Sequence, residues 1–336
     1  MIISNLETKH AGFFSSFFFM INHYLYAKIN HHSFRLKTDK WLFRAEKGWE
    51  DYFLPIDCNP VQPSLRNQTD IKEIDKHAII LANYPMILYR TIILQIYRLN
   101  PQMEKKIEDA RNTFFQSAIP SLTGLHDEEY GALFVRRGDK LIAESVLIGA
   151  ENYLQYLLEV YPKVRNVFVQ TDDYNVFLEL LAFQKQNPAI QHIKLYTLCK
   201  PHLLGGMVIT KETYDYCQDP NFDSNIQKIP IAQNQAYLRE NRENLKSFLP
   251  LEMQTPEQVR EHTEDMLIGI DFLLKSKVCV TDYLSNVTRF IKFAHPNIDA
   301  VYDIIRRSNE LDMHMVACPG YGTNFYLPKN GMKLNR

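Results

Sequence analysis

The sequence has almost no net charge: its 336 residues include 38 Lys and Arg against 39 Asp and Glu. A protein that binds the phosphate backbone of nucleic acid normally carries a basic excess or a basic stripe. Neither is present, so nucleic acid is disfavoured as the main partner. Apolar residues make up 46% of the chain, which is ordinary for a globular protein with a sizeable core. The length suits two domains or one large one.

Cysteine is scarce and follows no pattern. The chain has 5 cysteines, an odd number, and no two of them form a CxxC pair. In a chain of this size we read them as reduced, packed thiols rather than as disulfides or a structural zinc site.

No apolar run in the sequence is long enough for a membrane span. Residues 11–21 are strongly apolar, but such a run is too short to cross a bilayer. It also lacks the basic start and the small-residue cleavage site of a signal peptide. We interpret it as a buried loop and helix, and we expect a cytoplasmic protein without a membrane span.

The best-known catalytic motifs are missing as well. There is no GxSxG elbow, GxxxxGK(S/T) loop, GxGxxG fingerprint or HExxH pair, so hydrolases, P-loop kinases and dinucleotide oxidoreductases lose their usual signals. The Asp-x-Asp tripeptide that commonly holds a metal-bound sugar nucleotide is absent too. If a sugar nucleotide binds here, protein cations rather than a divalent metal are expected to balance its phosphates, and we predict no metal ligands.

Strand-like and helix-like segments alternate from Tyr130 to His295. The strand-like runs are residues 130–135, 166–170, 193–196 and 278–280. The helical patterns between them, including one from Thr263 to Lys275, give βαβ spacing and predict a parallel sheet covered on both faces. Upstream, residues 12–29 predict a buried helix. Residues 200–258 look polar and irregular, and residues 121–129 look like a domain junction.

Polar clusters follow three of these predicted strands, at Arg136–Lys140, Thr171–Asp173 and Thr281–Asn286. In parallel α/β sheets, ligands bind beyond the carboxyl ends of the strands. Three separate regions of the sequence are therefore expected to converge on one edge of the sheet. This convergence is better evidence for a site than any single cluster.

The first cluster, Arg-Arg-Gly-Asp-Lys, places three cations and one carboxylate directly after a strand. Guanidinium groups bind phosphate with two parallel hydrogen bonds and stabilise the charge that develops on a departing diphosphate. The alternative is a solvated turn with local ion pairs. For Thr171–Asp173, an aspartate either caps the next helix, or orients a basic residue of the first cluster or a sugar hydroxyl.

Two further positions also have two readings. Ser285 and the backbone N–H groups at the start of a predicted helix suit an anion, but Ser285 is equally a simple helix cap. Gly12 allows a backbone to approach a ligand closely, or only turns the chain.

Four segments, in their order along the chain, resemble motifs of the α1,6-fucosyltransferases. The most specific is 134–140 (Phe-Val-Arg-Arg-Gly-Asp-Lys) with Glu144, which resembles His-Val-Arg-Arg-x-Asp-Lys-x-x-x-Glu. Residues 167–173 resemble that family's next strand, which ends in Thr-Asp-Asp. Residues 271–289 resemble its helix and strand followed by Ser-Ser-Gln-Val-x-Arg. Gly12–Ser15 resemble the glycine-rich loop that opens this fold.

The resemblance covers about residues 10–45 and 130–295. It implies an α/β fold with two Rossmann-like halves facing a cleft, a GT-B-like plan. The first half, residues 1–125, would carry the glycine-rich loop and the acceptor side. The second, residues 126–336, would bind the nucleotide sugar, with the insertion at 200–258 shaping the acceptor site.

The same resemblance implies roles for the first motif. Arg136 would contact the β-phosphate of the donor, while Asp139, Lys140 and Glu144 would lie toward the acceptor. Glu144 would be the general base, because inverting transfer needs a base that removes the acceptor hydroxyl proton as the diphosphate leaves.

The remaining donor contacts are also implied by resemblance. Ser285, Asn286 and the backbone of Gly12, Phe13 and Phe14 would help to hold the phosphates.

Departures from the family pattern concentrate on the nucleobase. Phe134 stands where the family has a histidine, and Gly269 where it has the aspartate that reads the guanine edge. Asp265 and Asp271 are the nearby substitutes, and Asp271 is the predicted donor-binding one. Leu284 replaces the first serine of the third motif. The phosphate-handling residues are mostly retained while the base-reading residues are not.

The leading hypothesis is an inverting, metal-independent glycosyltransferase that transfers a sugar, fucose from GDP-fucose first, to a glycan or glycoconjugate hydroxyl. It needs a nucleotide-sugar donor and no resident cofactor. The alternatives are the same fold with another donor such as a UDP-sugar, and a non-catalytic carbohydrate- or nucleotide-binding relative. An unrelated phosphate-binding α/β enzyme is the last reading.

Overall fold

The computed structural model describes residues 2–6, 12–56, 72–74, 86–118, 129–143, 145–207 and 210–309. The strands, in chain order, are β1 (Ile2–Asn5), β2 (Phe34–Lys37), β3 (Lys72–Ile74), β4 (Gly131–Val135), β5 (Asn166–Thr171), β6 (Lys194–Thr197), β7 (Val278–Thr281) and β8 (Val301–Asp303). The first six helices are α1 (Phe13–Ile29), α2 (Met86–Ile96), α3 (Pro101–Ala118), α4 (Lys140–Ala143), α5 (Ala150–Val160) and α6 (Tyr174–Gln186). The last six are α7 (Lys211–Gln218), α8 (Phe222–Ile226), α9 (Ala232–Glu240), α10 (Arg242–Ser247), α11 (Pro256–Leu274) and α12 (Asn286–Ala294).

Within the described ranges, two separate parallel sheets form the framework. The first has the order β2-β1-β3, and the second has the order β6-β5-β4-β7-β8. In the second sheet every neighbouring pair is parallel, and β4 pairs with β5 on one side and β7 on the other. The strand order therefore reverses at β4, which places a ligand crevice at the carboxyl end of that strand. The predicted α/β class is confirmed.

The second sheet is covered on both faces because its strands are apolar on both faces. All five residues of β4 are buried. Leu133 and Val135 pack into a core with α5 and α6. Ala132 and Phe134 face the other way, into the core that includes α11. This alternation decides which side chains after β4 turn toward each face.

Helix α1 is buried around nearly its whole circumference, as residues 12–29 predicted. Thirteen of its seventeen residues are buried, which is the pattern of a helix inside a core rather than on its surface. It follows β1 and precedes β2, so it is the crossover of the first parallel pair.

One aromatic core joins the two sheets. Phe290 on α12 packs against Phe14 and Phe17 of α1, with ring centroids 4.4 and 5.4 Å away, and against Tyr97 at 4.6 Å. Arg90 on α2 reinforces this contact by donating to the carbonyl of His295 at 2.8 Å, just beyond the end of α12. The predicted junction at 121–129 falls almost wholly outside the described residues, so the boundary at 125 stays a prediction.

The segment 200–258 is not irregular, so this part of the sequence reading was wrong. It folds into α7 to α10, four helices of 5 to 9 residues. Together with Leu141 of α4 they form a small core, whose buried members include Cys217, Phe222 and Leu238. Their brevity explains the failure, because helices of two turns show little periodicity against a polar background.

In the part of the chain that the structure describes, no helix is both long enough and apolar enough to cross a bilayer.

Truncating the shared aromatic ring tests whether the two sheets depend on one core. We expect Phe290→Ala to lower the free energy of unfolding by about 3–5 kcal/mol, because it removes a fully buried ring that contacts both halves. Leu178→Ala, at a leucine that is 45% exposed on α6, should cost about 0.5 kcal/mol. Denaturant titration followed by circular dichroism measures both. Equal losses in the two variants would contradict the shared core.

Candidate active site

A cavity of about 1150 Å³ lies at the carboxyl ends of β4, β5 and β7. Its walls come from both halves of the chain. Among the residues singled out from the sequence, it is lined by Gly12, Phe13, Phe14, Phe134, Arg136, Lys140, Ser285 and Asn286. The predicted convergence of separate clusters on one sheet edge is therefore seen. Glu144 lies outside the described residues.

Arg136 is fixed in the cavity wall by two carboxylates. Its guanidinium donates to Asp172 at 2.5 Å and to Asp139 at 2.8 Å. Asp139 is held behind it and does not line the cavity. Two anchors on one guanidinium orient the cation before any ligand arrives, which is the condition for electrostatic preorganisation.

Asp172 holds the loop after β4 as well as the side chain. One of its oxygens accepts from the backbone N–H of Arg137 at 2.8 Å, and the other accepts from Arg136 and, at 3.4 Å, from the N–H of Met207. The carboxylate thus ties β5 to the loop after β4 and to the start of the insertion. Of the alternatives for this aspartate, the one in which it orients a basic residue of the first cluster is realised.

Asp173 takes the other predicted role and caps α6. Its carboxylate accepts from the N–H of Asn175 at 3.0 Å and from the N–H of Gly205 at 2.8 Å. Tyr237 of α9 donates its hydroxyl to the same carboxylate. Burial raises the pKa of Asp173, and the hydrogen bond from Tyr237 works against that rise.

Arg137 belongs to the framework rather than to the cavity. It follows the face of Leu133 and Val135, so it points to α6, where it forms two parallel hydrogen bonds to Glu179 at 2.6 and 2.7 Å. Its guanidinium lies 5.1 Å from the ring centroid of Tyr237. Burial favours the neutral form, but the hydrogen bonds and charge of Glu179, together with Tyr237, outweigh it and raise the pKa of Arg137.

The turn after the two arginines requires glycine. Gly138 has φ +60°, a left-handed conformation that favours glycine. A Cβ there would lie 2.6 Å from the carbonyl oxygen of Met207 and 2.9 Å from Asp172. The insertion therefore packs directly on the backbone of the loop that presents Arg136.

Two helix N-termini border the cavity opposite this loop. Ser285 caps α12 by accepting from the N–H of Thr288 at 3.2 Å, and Asn286 donates to Ser15 of α1 at 2.7 Å. Gly12 precedes α1, and nothing lies within 4 Å of the position that a Cβ would take there. The positive ends of both helix dipoles thus border the same space as Arg136, an arrangement that suits an anion.

Asp271 does not lie at the cavity, where it was predicted to bind the donor. Its carboxylate pairs with Lys275 at 2.9 Å, and the residue does not line the cavity. Asp265 lines it instead. Asp271 lies six positions after Asp265 on the helix. At 3.6 residues per turn, their side chains point roughly 120° apart around the helix axis.

One wall of the cavity was missed because α11 begins earlier than predicted. Thr255 and Gln258 form a capping box, and the helix starts at Pro256 instead of Thr263. The added turns bring His262 to the cavity. Burial lowers the pKa of His262 to about 4, so its ring is neutral at pH 7. The Thr-x-x-Gln spacing was the signal that would have found this wall.

Gln170, near the end of β5, is a second residue that sequence reasoning passed over. Its side chain lines the cavity and its neighbour across the sheet is Phe134. No local motif marks a glutamine inside an apolar strand.

Across the described ranges, no group of three or more His, Cys, Asp or Glu side chains is arranged to hold a metal ion.

Comparison with known proteins finds the fold but no sequence relative. No family model matches the sequence, and no curated protein sequence matches it either. Among solved structures, NodZ α-1,6-fucosyltransferase soaked with GDP-fucose is similar at TM-score 0.51 and 12% identity, over 90% of this chain and 94% of that one. The same enzyme co-crystallised with GDP gives 0.50 and 12%, over 90% and 93%. The fucosyltransferase NodZ from Bradyrhizobium gives 0.51 and 12%, over 91% and 95%.

The chain therefore has a fucosyltransferase-like fold of the GT-B kind, as its motifs indicated. At such low identity the likeness concerns the fold.

Replacing Arg137 is expected to destabilise the fold, because this arginine belongs to the framework. We expect Arg137→Ala to lower the free energy of unfolding by about 3–5 kcal/mol, because it leaves the buried Asp173 and the partner Glu179 without their cation. Thermal or denaturant unfolding measures the loss. Lys277→Ala breaks an exposed pair with Glu129 and should leave the free energy of unfolding nearly unchanged, because water screens such a pair. A loss for Arg137→Ala no larger than this control would contradict a framework role.

Proposed function

We propose that this chain is an inverting, metal-independent glycosyltransferase that transfers a sugar, fucose from GDP-fucose first, to a hydroxyl of a glycan or glycoconjugate. The observation that carries the proposal is the setting of Arg136. Its guanidinium is fixed by Asp172 and Asp139 in the wall of a large cavity that two helix N-termini also border. That arrangement suits a diphosphate, whose leaving from a sugar is the costly step of transfer.

The donor diphosphate would lie between Arg136 and the two helix starts. Arg136 contacts the β-phosphate, while Ser285, Asn286 and the Gly12–Phe14 backbone hold the remaining phosphate oxygens. Asp172 and Asp139 already pair with Arg136, so Lys140 and Arg289, which line the same cavity, together with the oriented N–H donors would supply the positive charge that a divalent cation supplies elsewhere.

The chemical step is a single displacement at the anomeric carbon. The bond from that carbon to the diphosphate oxygen breaks, and a bond to the acceptor oxygen forms on the opposite face. Glu144 takes the acceptor hydroxyl proton, and the leaving diphosphate keeps the electron pair next to Arg136. Lys140, which lines the cavity, is assigned to the acceptor side of this centre, whereas Asp139, predicted to lie there too, supports Arg136 from behind.

GDP-fucose is the first donor because NodZ, which shares the fold, has been crystallised with GDP-fucose and with GDP. Phe134 and Gly269 stand where the resemblance expects base-reading residues. These two positions favour one competing reading, the same fold with another donor such as a UDP-sugar. We assign donor binding mainly to residues 126–336, with the Gly12–Phe14 backbone contributing to the phosphates, and the acceptor side to residues 1–125.

Ligand-induced stabilisation tests the donor. At about 100 times its Kd, a ligand of the folded state should raise Tm by about 4 °C for a chain of this size. We expect that shift with GDP or GDP-fucose, unchanged by EDTA. Arg136→Ala should lose this shift. Because the change also takes the guanidinium from Asp139 and Asp172, Arg136→Lys, which keeps a cation there without the planar fork, is the second variant, and the melting temperature of each variant without ligand shows whether it is folded. A shift that needs a divalent cation, or that survives in Arg136→Ala, would overturn the phosphate assignment.

The general base is tested separately. We expect Glu144→Gln to keep the affinity for GDP-fucose and to lower the transfer rate about 100-fold or more, because an amide cannot take the proton. Glu151→Gln is the matched control, since Glu151 does not line the cavity. Donor affinity comes from calorimetry and rate from single-turnover transfer. Collapse of donor affinity in Glu144→Gln would assign this residue to binding instead.

A further inference from the structure

The cavity extends well beyond the residues assigned to the donor. Its volume of about 1150 Å³ exceeds the roughly 300–1,000 Å³ of most small-molecule pockets. The lining residues Gln258 and Ile270 of α11 are twelve positions apart, which is about 18 Å along a helix. The donor diphosphate is assigned to Arg136 and to the starts of α1 and α12. The part of the cavity beside residues 247–258 is therefore left for a second ligand.

The end of the insertion forms the cavity wall in that part. The lining residues there are Ser247, Phe248, Leu249, Gln254 and Gln258. We call these five residues the insertion wall, and none of them carries a charge. Phe43 and Ala110 of the first half line the same cavity and are also uncharged.

Contacts on both sides fix the insertion wall before a ligand binds. Phe248 packs against the small core of α7 to α10. Leu251, three positions later, is 3% exposed and belongs to the large aromatic core. Glu252 accepts from the backbone N–H of Lys211 at 2.6 Å. The segment between α10 and α11 is thus held by two cores and a hydrogen bond, which preorganises the side chains that it presents.

Two amides in the insertion wall each use one of their two polar atoms within the protein. Gln254 donates from Nε2 to the carbonyl of Leu249 at 2.7 Å, and Gln258 accepts at Oε1 from the N–H of Thr255 at 2.9 Å. Among the described residues, Oε1 of Gln254 and Nε2 of Gln258 have no hydrogen-bond partner. The wall therefore offers one oriented acceptor and one oriented donor. A hydroxyl can use both, because it donates and accepts.

Leu249 adds an apolar surface beside these amides. Its side chain is 44% exposed although it lines the cavity, so a ligand that covers it gains the free energy of apolar burial. A saccharide ring has an apolar C–H face and a rim of hydroxyls. It can cover Leu249 with the first and reach the two amides with the second.

The charged residues next along α11 disfavour a charged ligand. Glu261 and Asp265 line the cavity and both pair with Lys200, at 3.0 and 2.9 Å. Two carboxylates against one ammonium repel an anion. Because both carboxylates already have a cationic partner, neither is left over for a cationic ligand.

We propose that the insertion wall binds the acceptor, and that the acceptor is an uncharged saccharide whose ring lies on Leu249 and whose hydroxyls reach Gln254 and Gln258. This inference rests on the proposed function. It assigns acceptor specificity to the end of the insertion, with Phe43 and Ala110 contributing from the first half.

Two substitutions remove the proposed contacts without disturbing the fold. Gln258→Glu keeps the oxygen that caps α11, since glutamate serves equally well in a capping box, but it removes the amide donor. Leu249→Gln replaces the apolar surface at an exposed position. Each should weaken saccharide binding about ten-fold and leave the GDP-induced rise in Tm unchanged.

Each substitution has a matched control. Glu257→Gln makes the reverse exchange one position earlier, at a residue that does not line the cavity. Leu178→Gln changes a leucine of α6 that is 45% exposed and also lies outside the lining. Both controls should bind saccharide as the wild type does. The melting temperature of each variant without ligand shows whether it is folded.

Binding is measured first on a printed array of neutral, carboxylated, sulfated and amino oligosaccharides, with GDP present. We expect the wild type to bind neutral members of the array and not the charged ones. Calorimetric titration with the neutral oligosaccharide that binds best then gives the affinity of each variant.

The outcomes separate the inference from the proposed function. Preference for charged oligosaccharides, or binding of no neutral one while GDP still raises Tm, would overturn the inference and leave the donor proposal standing. Equal affinities in Gln258→Glu, Leu249→Gln and their controls would overturn the role of the insertion wall. Binding of neutral oligosaccharides at this wall without any GDP-induced rise in Tm would overturn the proposed donor and leave a saccharide site.

Discussion

The carboxylate of Asp172 is the interaction on which the candidate site depends. It holds the guanidinium of Arg136 and the backbone N–H of Arg137 at once. The first contact aims a cation into the cavity, and the second fixes the loop that carries it. A cation preorganised in this way stabilises a leaving diphosphate without reorganising during the reaction. The proposed chemistry therefore begins with a hydrogen-bonded junction between two neighbouring strands, β4 and β5.

The insertion at 200–258 packs against this junction between β4 and β5. Tyr237 donates to Asp173 and lies beside the guanidinium of Arg137, while Met207 packs on Gly138. These contacts make 200–258 a brace for the loop that presents Arg136. Its later residues, including Phe248, also line the cavity. The same segment therefore supports the loop that carries Arg136 and forms part of the cavity wall. Its proposed part in shaping the acceptor site stays compatible with that position.

The sequence predicted most where a pattern had a physical period. Apolar runs such as 130–135 predicted parallel strands, and the clusters after them converged because parallel strands end at one edge. It predicted least where roles depend on which face a side chain takes. Arg136 and Arg137 read alike, yet strand alternation sends one to the cavity and the other to Glu179. Asp265 and Asp271 were equally suitable donor-binding candidates in the sequence, but they lie on different faces of α11 and only Asp265 of the two lines the cavity.

A crystal structure of the protein with GDP-fucose or GDP tests the central claim most directly. We expect the β-phosphate within about 3 Å of the Arg136 guanidinium and the phosphates against the starts of α1 and α12. Density for the nucleotide elsewhere on the molecule, or phosphates held through a metal ion away from Arg136, would contradict it.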